Sequence, residues 1–213
     1  MNLDAWKILM EEMEPDGVDC HSAAVKYGNG SAAEVESGIF FYSLVRRYAP
    51  KVVMETGTHW GWSSACMGLG LADNARDYSH LRGRLYTIDS NPYEGKPEAL
   101  WERIGVSSFI THFIGNSEQW EWDKSPRNID FLFLDADHSA EAIIRELNCF
   151  GPYLNRKRSL IALHDTRLDA RMSPGVKEML KHPLLTDNYR LISHVPWRNM
   201  RGLDMIYLSN EEL

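Results

Sequence analysis

Seven short apolar runs recur along this chain, and the segments between them limit its fold more than any single residue does. They lie within Lys51 to Glu55, Arg84 to Ile88, Phe109 to Ile114, Ile129 to Leu134, Leu160 to Leu163, Tyr189 to His194 and Leu203 to Leu208. Their β-branched and aromatic content favours strands. Helical spacing fills the gaps between the first five, at Ser63 to Ala72, Lys96 to Ile104, Ser117 to Trp122 and Ser139 to Phe150. That alternation is the rhythm of a parallel sheet. Only Val195 to Gly202 joins the last two runs, too short for a helical crossover, so these two strands are expected to pair antiparallel. The expected architecture is α/β: a three-layer sandwich around a seven-stranded, mostly parallel sheet that ends in a C-terminal antiparallel hairpin.

Two further helical stretches, Leu3 to Met13 and Ala33 to Tyr48, flank a Gly-, Ser- and Asn-rich loop at Asp16 to Ser31. The chain is accordingly divided into an N-terminal helix with a lid segment over residues 1–32 and one domain over 33–213. With 23 basic against 30 acidic residues the net charge is −7, which argues against broad attraction to nucleic acid or an anionic membrane. No apolar run is long enough to span a bilayer, and Met1 to Glu14 has no basic n-region, so a cytoplasmic location is expected. Cys20, Cys66 and Cys149 form no Cys-x-x-Cys pair and read as ordinary thiols.

The first run leads into Glu55-Thr-Gly-Thr-His-Trp-Gly-Trp-Ser63. Gly57 and Gly61 permit backbone angles or contacts that a Cβ forbids, and Ser63 or Ser64 is placed to cap the next helix. The spacing Glu-x-Gly-x-x-x-Gly-x-Ser is not the Gly-x-Gly-x-x-Gly of dinucleotide sites, and Gly61 lies 28 residues before Asp89. A carboxylate at the strand tip suits a ligand with an ammonium group and no phosphate. In open α/β sheets ligands sit at the carboxyl ends of the strands. There, Asp89 can accept both hydrogen bonds of a ribose diol or cap the turn Asp89-Ser-Asn-Pro92, and Asn116 offers both a donor and an acceptor to a ligand, unless Asn116 or Ser117 merely caps the helix after it.

With these segments the chain resembles the Rossmann-like S-adenosylmethionine-dependent methyltransferases, from Ala33 to Leu208. The resemblance implies S-adenosylmethionine as cofactor, with Glu55, Gly57, Thr58, Gly61 and Ser63 at its methionine end, Asp89 at the ribose, Asn116 and Ser117 at the adenine, and Asp135 beside it.

A second group of polar residues ends the fourth and fifth runs, in Ile129-Asp-Phe-Leu-Phe-Leu-Asp-Ala-Asp-His138 and Leu160-Ile-Ala-Leu-His-Asp-Thr166. If these strands are neighbours, about 4.8 Å apart, Asp135 and Asp165 can share a divalent cation such as Mg, Mn or Ca. The plainer reading is that Asp137 or Ser139 caps the helix that follows and His138 is a solvated loop residue. These segments are similar to those of the metal-dependent small-molecule O-methyltransferases, the catechol and caffeoyl-CoA group, and more distantly to the cephalosporin hydroxylase and macrocin O-methyltransferase group. The resemblance implies metal ligands at Asp135, His164 and Asp165, a catalytic base at His138, and a catalytic metal or acceptor contact at His164. Two departures stand out. Imidazole at His164 is a poor ligand for Mg²⁺, and Leu154-Asn-Arg-Lys-Arg-Ser159 replaces the family's Leu-x-x-Gly-Gly turn with a basic cluster that reads as solvated.

The acceptor is expected to be a small hydroxylated molecule, anionic, sugar-like or aromatic. The reason is that Arg167 and Arg171 follow the fifth run while His194, Trp197, Arg198 and Arg201 are expected in the hairpin loop. No nucleic-acid or membrane partner is expected, and a homo-oligomer is compatible with the chain. Two other readings stay open: a metal-dependent oxygenase or hydroxylase on the same scaffold, and a non-catalytic binding module of this fold.

Overall fold

In a computed structural model, residues 2–13, 35–120, 127–166, 176, 178–197 and 202–210 are described. Its backbone divides into two compact units. The first comprises Met1–Lys51, Thr58–Thr87 and Asn91–Ile114, and the second Val52–Gly57, Ile88–Ser90 and Gly115–Leu213. In chain order the elements are α1 (Leu3–Met13), α2 (Val35–Tyr48), β1 (Val52–Thr56), α3 (Trp62–Asp77), β2 (Arg84–Asp89), α4 (Lys96–Arg103), β3 (Ile110–Ile114), β4 (Phe131–Leu134), α5 (Ala140–Phe150), β5 (Arg158–His164), α6 (Pro183–Thr186), β6 (Arg190–Trp197) and β7 (Leu203–Ser209). The seven strands form one sheet in the order β3-β2-β1-β4-β5-β7-β6.

The expected strand program is present. β4 pairs parallel with both β1 and β5, and β7 pairs antiparallel with β5 and β6. β4 is buried at all four positions and β5 at six of seven, which is why both read as continuous apolar runs without alternation. Among the described residues no helix is long and apolar enough to cross a membrane.

Three local expectations change. The helix after β1 begins at Trp62, one residue before the predicted cap. Its N-cap is Gly61, in the left-handed region with no side-chain cap, so neither Ser63 nor Ser64 caps it. Ser117 to Trp122 does not open as an α-helix: a single 3-10 turn spans Ser117–Gln119 and Trp120 is extended, while residues 121–126 lie outside the described set. β6 runs on to Trp197, which places His194 opposite Ile206 and Trp197 opposite Leu203. Both are strand residues, not loop residues, because the hairpin ladder continues beyond the apolar run. The predicted lid at Asp16 to Ser31, Cys20, and the arginines 167, 171, 198 and 201 lie outside the described residues.

In the first unit, α2 is fixed to α3 by polar groups inside an apolar contact. The Tyr42 hydroxyl donates to Asp73 Oδ2 at 2.7 Å, Asn74 Nδ2 donates to the Val45 carbonyl at 2.9 Å, and Arg46 reaches Asn74 and Asp77. Burial, then the bond to Asp73, pushes the Tyr42 phenol up to about 12, so it remains a donor at any ordinary pH. Trp6 of α1 meets the Tyr42 ring edge-on at 5.1 Å. Tyr42→Phe removes one partner of a buried carboxylate at almost no change in volume. It is expected to cost about 1–2 kcal/mol, read as a lower urea midpoint with unchanged m-value.

Candidate active site

β1 ends at Thr56, and the chain turns out of the sheet through Gly57 at φ +83. A Cβ at Gly57 would lie 2.2 Å from the Asp135 carbonyl oxygen and 2.6 Å from its carbon. The obstacle is backbone, so it cannot rotate away. The Asp135 N–H in turn donates to the Thr56 carbonyl at 3.1 Å and lies 3.3 Å from Thr56 Oγ1. Gly57 therefore brings the tip of β1 onto the tip of β4. Gly57→Ala combines this clash with a left-handed φ and is expected to destabilise the fold by roughly 2 kcal/mol or more, measurable by chemical denaturation.

Gly61 is required for another reason. A Cβ there would meet Pro97 and the Trp101 indole at 2.9 Å, and Trp101 Nε1 donates to the Gly61 carbonyl at 3.0 Å. Its close approach is to α4, within the first unit. Also in that unit, the Thr58 hydroxyl is 2.6 Å from that of Thr87, and Ser63 is buried in the first turn of α3.

In the second unit, Glu55 is fully buried at the end of β1. Asp89 closes β2, and the Gly115 N–H donates to the Asp89 carbonyl at 2.9 Å. In the turn after β2, within the first unit, the Asn91 side chain accepts from the Tyr93 N–H at 2.9 Å. Asn116 is exposed and caps the 3-10 turn, its Oδ1 accepting from the Glu118 N–H at 2.9 Å. Its amide N–H groups remain the side able to meet a ligand. Ser117 is buried and gives its hydroxyl proton to Glu146 Oε1 at 2.5 Å.

The parallel register Leu134↔Leu163 brings Asp135 level with His164, as the neighbouring-strand expectation required. His164 Nδ1 lies 2.9 Å from Asp135 Oδ1 and 3.3 Å from Asp165 Oδ1, and Asp165 Oδ2 lies 3.2 Å from His138 Nε2. Acid and imidazole thus alternate in one row: Asp135, His164, Asp165, His138. His164 has 1% of its side chain exposed and His138 27%, so the outer end of the row is His138. Asp165 holds φ +58, a left-handed conformation uncommon for a residue with a Cβ and the kind of strain found at functional sites. Ser139 caps α5 by accepting from the Ala142 N–H, and Asp137 accepts from the Ser139 N–H at 2.8 Å. That backbone bond, more than any charge nearby, holds the Asp137 carboxyl below its ordinary range.

The expected metal ligands thus come together, but as ion pairs. The facing oxygens of Asp135 and Asp165 both turn to His164 Nδ1, and no group of three or more His, Cys, Asp or Glu among the described residues is arranged to hold a metal ion.

Two acids escaped the sequence analysis. Asp204, buried in β7 opposite Leu163, accepts from the Thr166 hydroxyl at 3.2 Å; its only signal was a lone acid inside an apolar run. Glu146 is 1% exposed on α5, and its signal was periodic. It falls on the stripe Ala142, Ile143, Leu147 and Phe150, where an acid is out of place. Burial, partly offset by the hydroxyls of Ser117 and Thr56, pushes its carboxyl up to about 7. Because the folded value exceeds the ordinary 4.5, folding opposes ionisation. This contribution is fully present below about pH 4.5 and is lost as pH rises through 7, up to about 3 kcal/mol. Glu146→Gln should abolish that part of the stability profile in denaturant titrations between pH 5 and 8.

Against known proteins, the methyltransferase-domain family model matches residues 54–166, just over half of the chain. Solved structures of similar fold include the O-methyltransferase TomG from Streptomyces achromogenes, involved in tomaymycin synthesis and bound to SAM (16% identity, TM-score 0.67, 96% of this chain and 90% of that one). Others are the O-methyltransferase from Bacillus cereus bound to SAH (16%, 0.67, 99% and 92%) and the SAH-bound methyltransferase PaMTH1 from Podospora anserina (14%, 0.66, 96% and 86%). At such identities the likeness is one of fold. No curated protein sequence matches the chain. With its family match spanning β1 to β5, the chain belongs to the methyltransferase-domain family.

Proposed function

We propose that this protein is an S-adenosylmethionine-dependent O-methyltransferase of a small hydroxylated molecule, working by acid–base chemistry at the row Asp135, His164, Asp165, His138. That row is the observation on which the reading rests. The strand tips suit the cofactor's chemistry. Carboxylates stand at Glu55, Asp89 and Asp135, and no Lys or Arg lies within 55–57, 88–90, 115–117, 135–138 or 164–166. A set like this favours an ammonium group and a ribose diol and disfavours a phosphate. Glu55 and the backbone around Gly57 and Asp135 would hold the methionine end, Asp89 the ribose, and Asn116 and Ser117 the adenine. Thr58 and Gly61, further along the same loop, and Ser63, in the first turn of α3, keep the methionine-end role that the sequence resemblance implies. When bound, S-adenosylmethionine supplies a methyl group on a sulfonium sulfur, electrophilic enough for an oxygen to attack.

The residues of this chain handle the proton. With Nε2 3.2 Å from Asp165 Oδ2, the His138 ring would carry its proton on the nitrogen facing that carboxylate and leave the lone pair on Nδ1 free. That nitrogen would take the acceptor's hydroxyl proton as the acceptor oxygen bonds to the methyl carbon and the methyl–sulfur bond breaks, its electron pair leaving with the neutral thioether S-adenosylhomocysteine, and Asp165 would stabilise the imidazolium formed. His164, held between two carboxylates, keeps their charges apart and orients Asp165.

The test is methyl transfer from S-adenosylmethionine to a panel of small phenols, catechols and hydroxylated acids, with and without a chelator. His138→Gln and Asp165→Asn are each expected to lower kcat roughly 100-fold or more while leaving the Kd for S-adenosylhomocysteine within about two-fold, by calorimetry. Asn tolerates the left-handed φ of residue 165, so that variant tests charge without added strain. Failure of the folded protein to bind S-adenosylhomocysteine overturns the cofactor assignment. An absolute requirement for a divalent cation overturns the acid–base assignment alone.

A further inference from the structure

Glu146 has no part in the chemistry above, yet it is a buried acid in contact with the turn assigned to adenine. It sits on the buried stripe of α5, accepts the Ser117 hydroxyl proton on Oε1 at 2.5 Å, and has the Thr56 hydroxyl nearby. Its Oε2 has no partner among the described residues. A hydroxyl has one proton and two lone pairs. Once Ser117 gives that proton to Glu146, it has only lone pairs for whatever approaches the turn.

We infer that Glu146 is a positioning residue that sets the hydrogen-bond polarity of the Gly115–Ser117 turn, making Ser117 an obligatory acceptor and so selecting a purine with an exocyclic amino group over one with a keto group. This rests on the assignment of that turn to the adenine. An amino group at the purine 6-position donates to Ser117; a keto oxygen there meets only lone pairs and is repelled. Sites that leave a buried polar group facing the wrong partner reject the wrong ligand more strongly than sites that lack a contact. The polarity depends on the charge of Glu146. As a carboxylate it can only accept, which locks Ser117. As a neutral acid it can donate to Ser117 Oγ, freeing the Ser117 proton to face a keto group. Burial pushes this carboxyl up to about 7, so both forms are populated near neutrality. The charged and titratable groups bearing on it are Glu118 from the 3-10 turn and Asp137 from the loop after β4, both opposing ionisation, and the Cys149 thiol on its own helix. Selection for the amino purine should therefore strengthen as pH rises through 7.

The experiment measures the Kd values of S-adenosylhomocysteine and its deaminated analogue S-inosylhomocysteine by calorimetry at pH 6 and pH 8. Wild type, Glu146→Gln and Ser117→Ala are compared, with circular dichroism to confirm that each is folded. The two ligands share their homocysteine and ribose, so titration of other groups cancels in the ratio. In wild type the preference for the adenosyl ligand is expected to increase about five-fold from pH 6 to pH 8. In Glu146→Gln, whose amide can donate to Ser117 at every pH, the preference should be smaller and independent of pH; in Ser117→Ala it should be largely lost. A pH-independent ratio in wild type overturns the proposal without needing any variant, as does an unchanged ratio in folded Glu146→Gln. If Ser117→Ala binds both ligands as wild type does, the adenine assignment of the turn is wrong and the proposal falls with it. If S-adenosylhomocysteine does not bind at all, the cofactor assignment has failed as well.

Discussion

The contact between Gly57 and the Asp135 carbonyl sets the geometry on which the candidate site depends. Only a residue without Cβ, at a positive φ, lets β1 leave the sheet so close to the end of β4. Asp135 is then held from behind by the Thr56 carbonyl, and the parallel register with β5 puts His164 beside it. From His164 the order passes to Asp165 and on to His138. Side chains that share a proton must be placed to within a few tenths of an ångström, and here that precision comes from strand ladders.

Burying four ionisable groups in one row is costly unless charges alternate and hydrogen bonds are made. Here acids and imidazoles alternate, with each inner member touching two neighbours of the opposite kind. The left-handed backbone at Asp165 is a further cost, borne where a helical or extended residue would turn its carboxylate elsewhere. Glu146 is a different case, because its charge meets no cation and burial favours the neutral acid. The same domain thus contains a polar row made tolerable by pairing acid with imidazole and a buried acid made tolerable by protonation.

The legible parts of the fold were those in which one residue type repeats for one reason. Phe131 to Leu134 and Leu160 to Leu163 are covered on both faces, so they show as unbroken apolar runs, and the acids and histidines that end them stand out. Where a signal depends on a partner far along the chain, the sequence misled or was silent. Ser63 looked like a cap, but the left-handed Gly61 starts the helix, wedged against Pro97 and Trp101 some forty residues away. His194 looked like a loop residue because its apolar run ends there, although pairing with β7 carries the strand to Trp197. Glu146 was passed over because α5 reads as amphipathic with or without it.

By itself the sequence determined the α/β class, the antiparallel ending and the strand tips that carry polar groups. These follow from local periodicity and from loop lengths that admit or forbid a crossover. The tertiary structure decided how those polar groups face one another. Whether Asp135 and Asp165 meet a cation or an imidazole, and whether Ser117 caps a helix or gives its proton to Glu146, depends on strand register and helix rotation. These are set by packing between segments distant in the chain, and they place atoms at hydrogen-bonding distance, a scale that residue spacing does not encode.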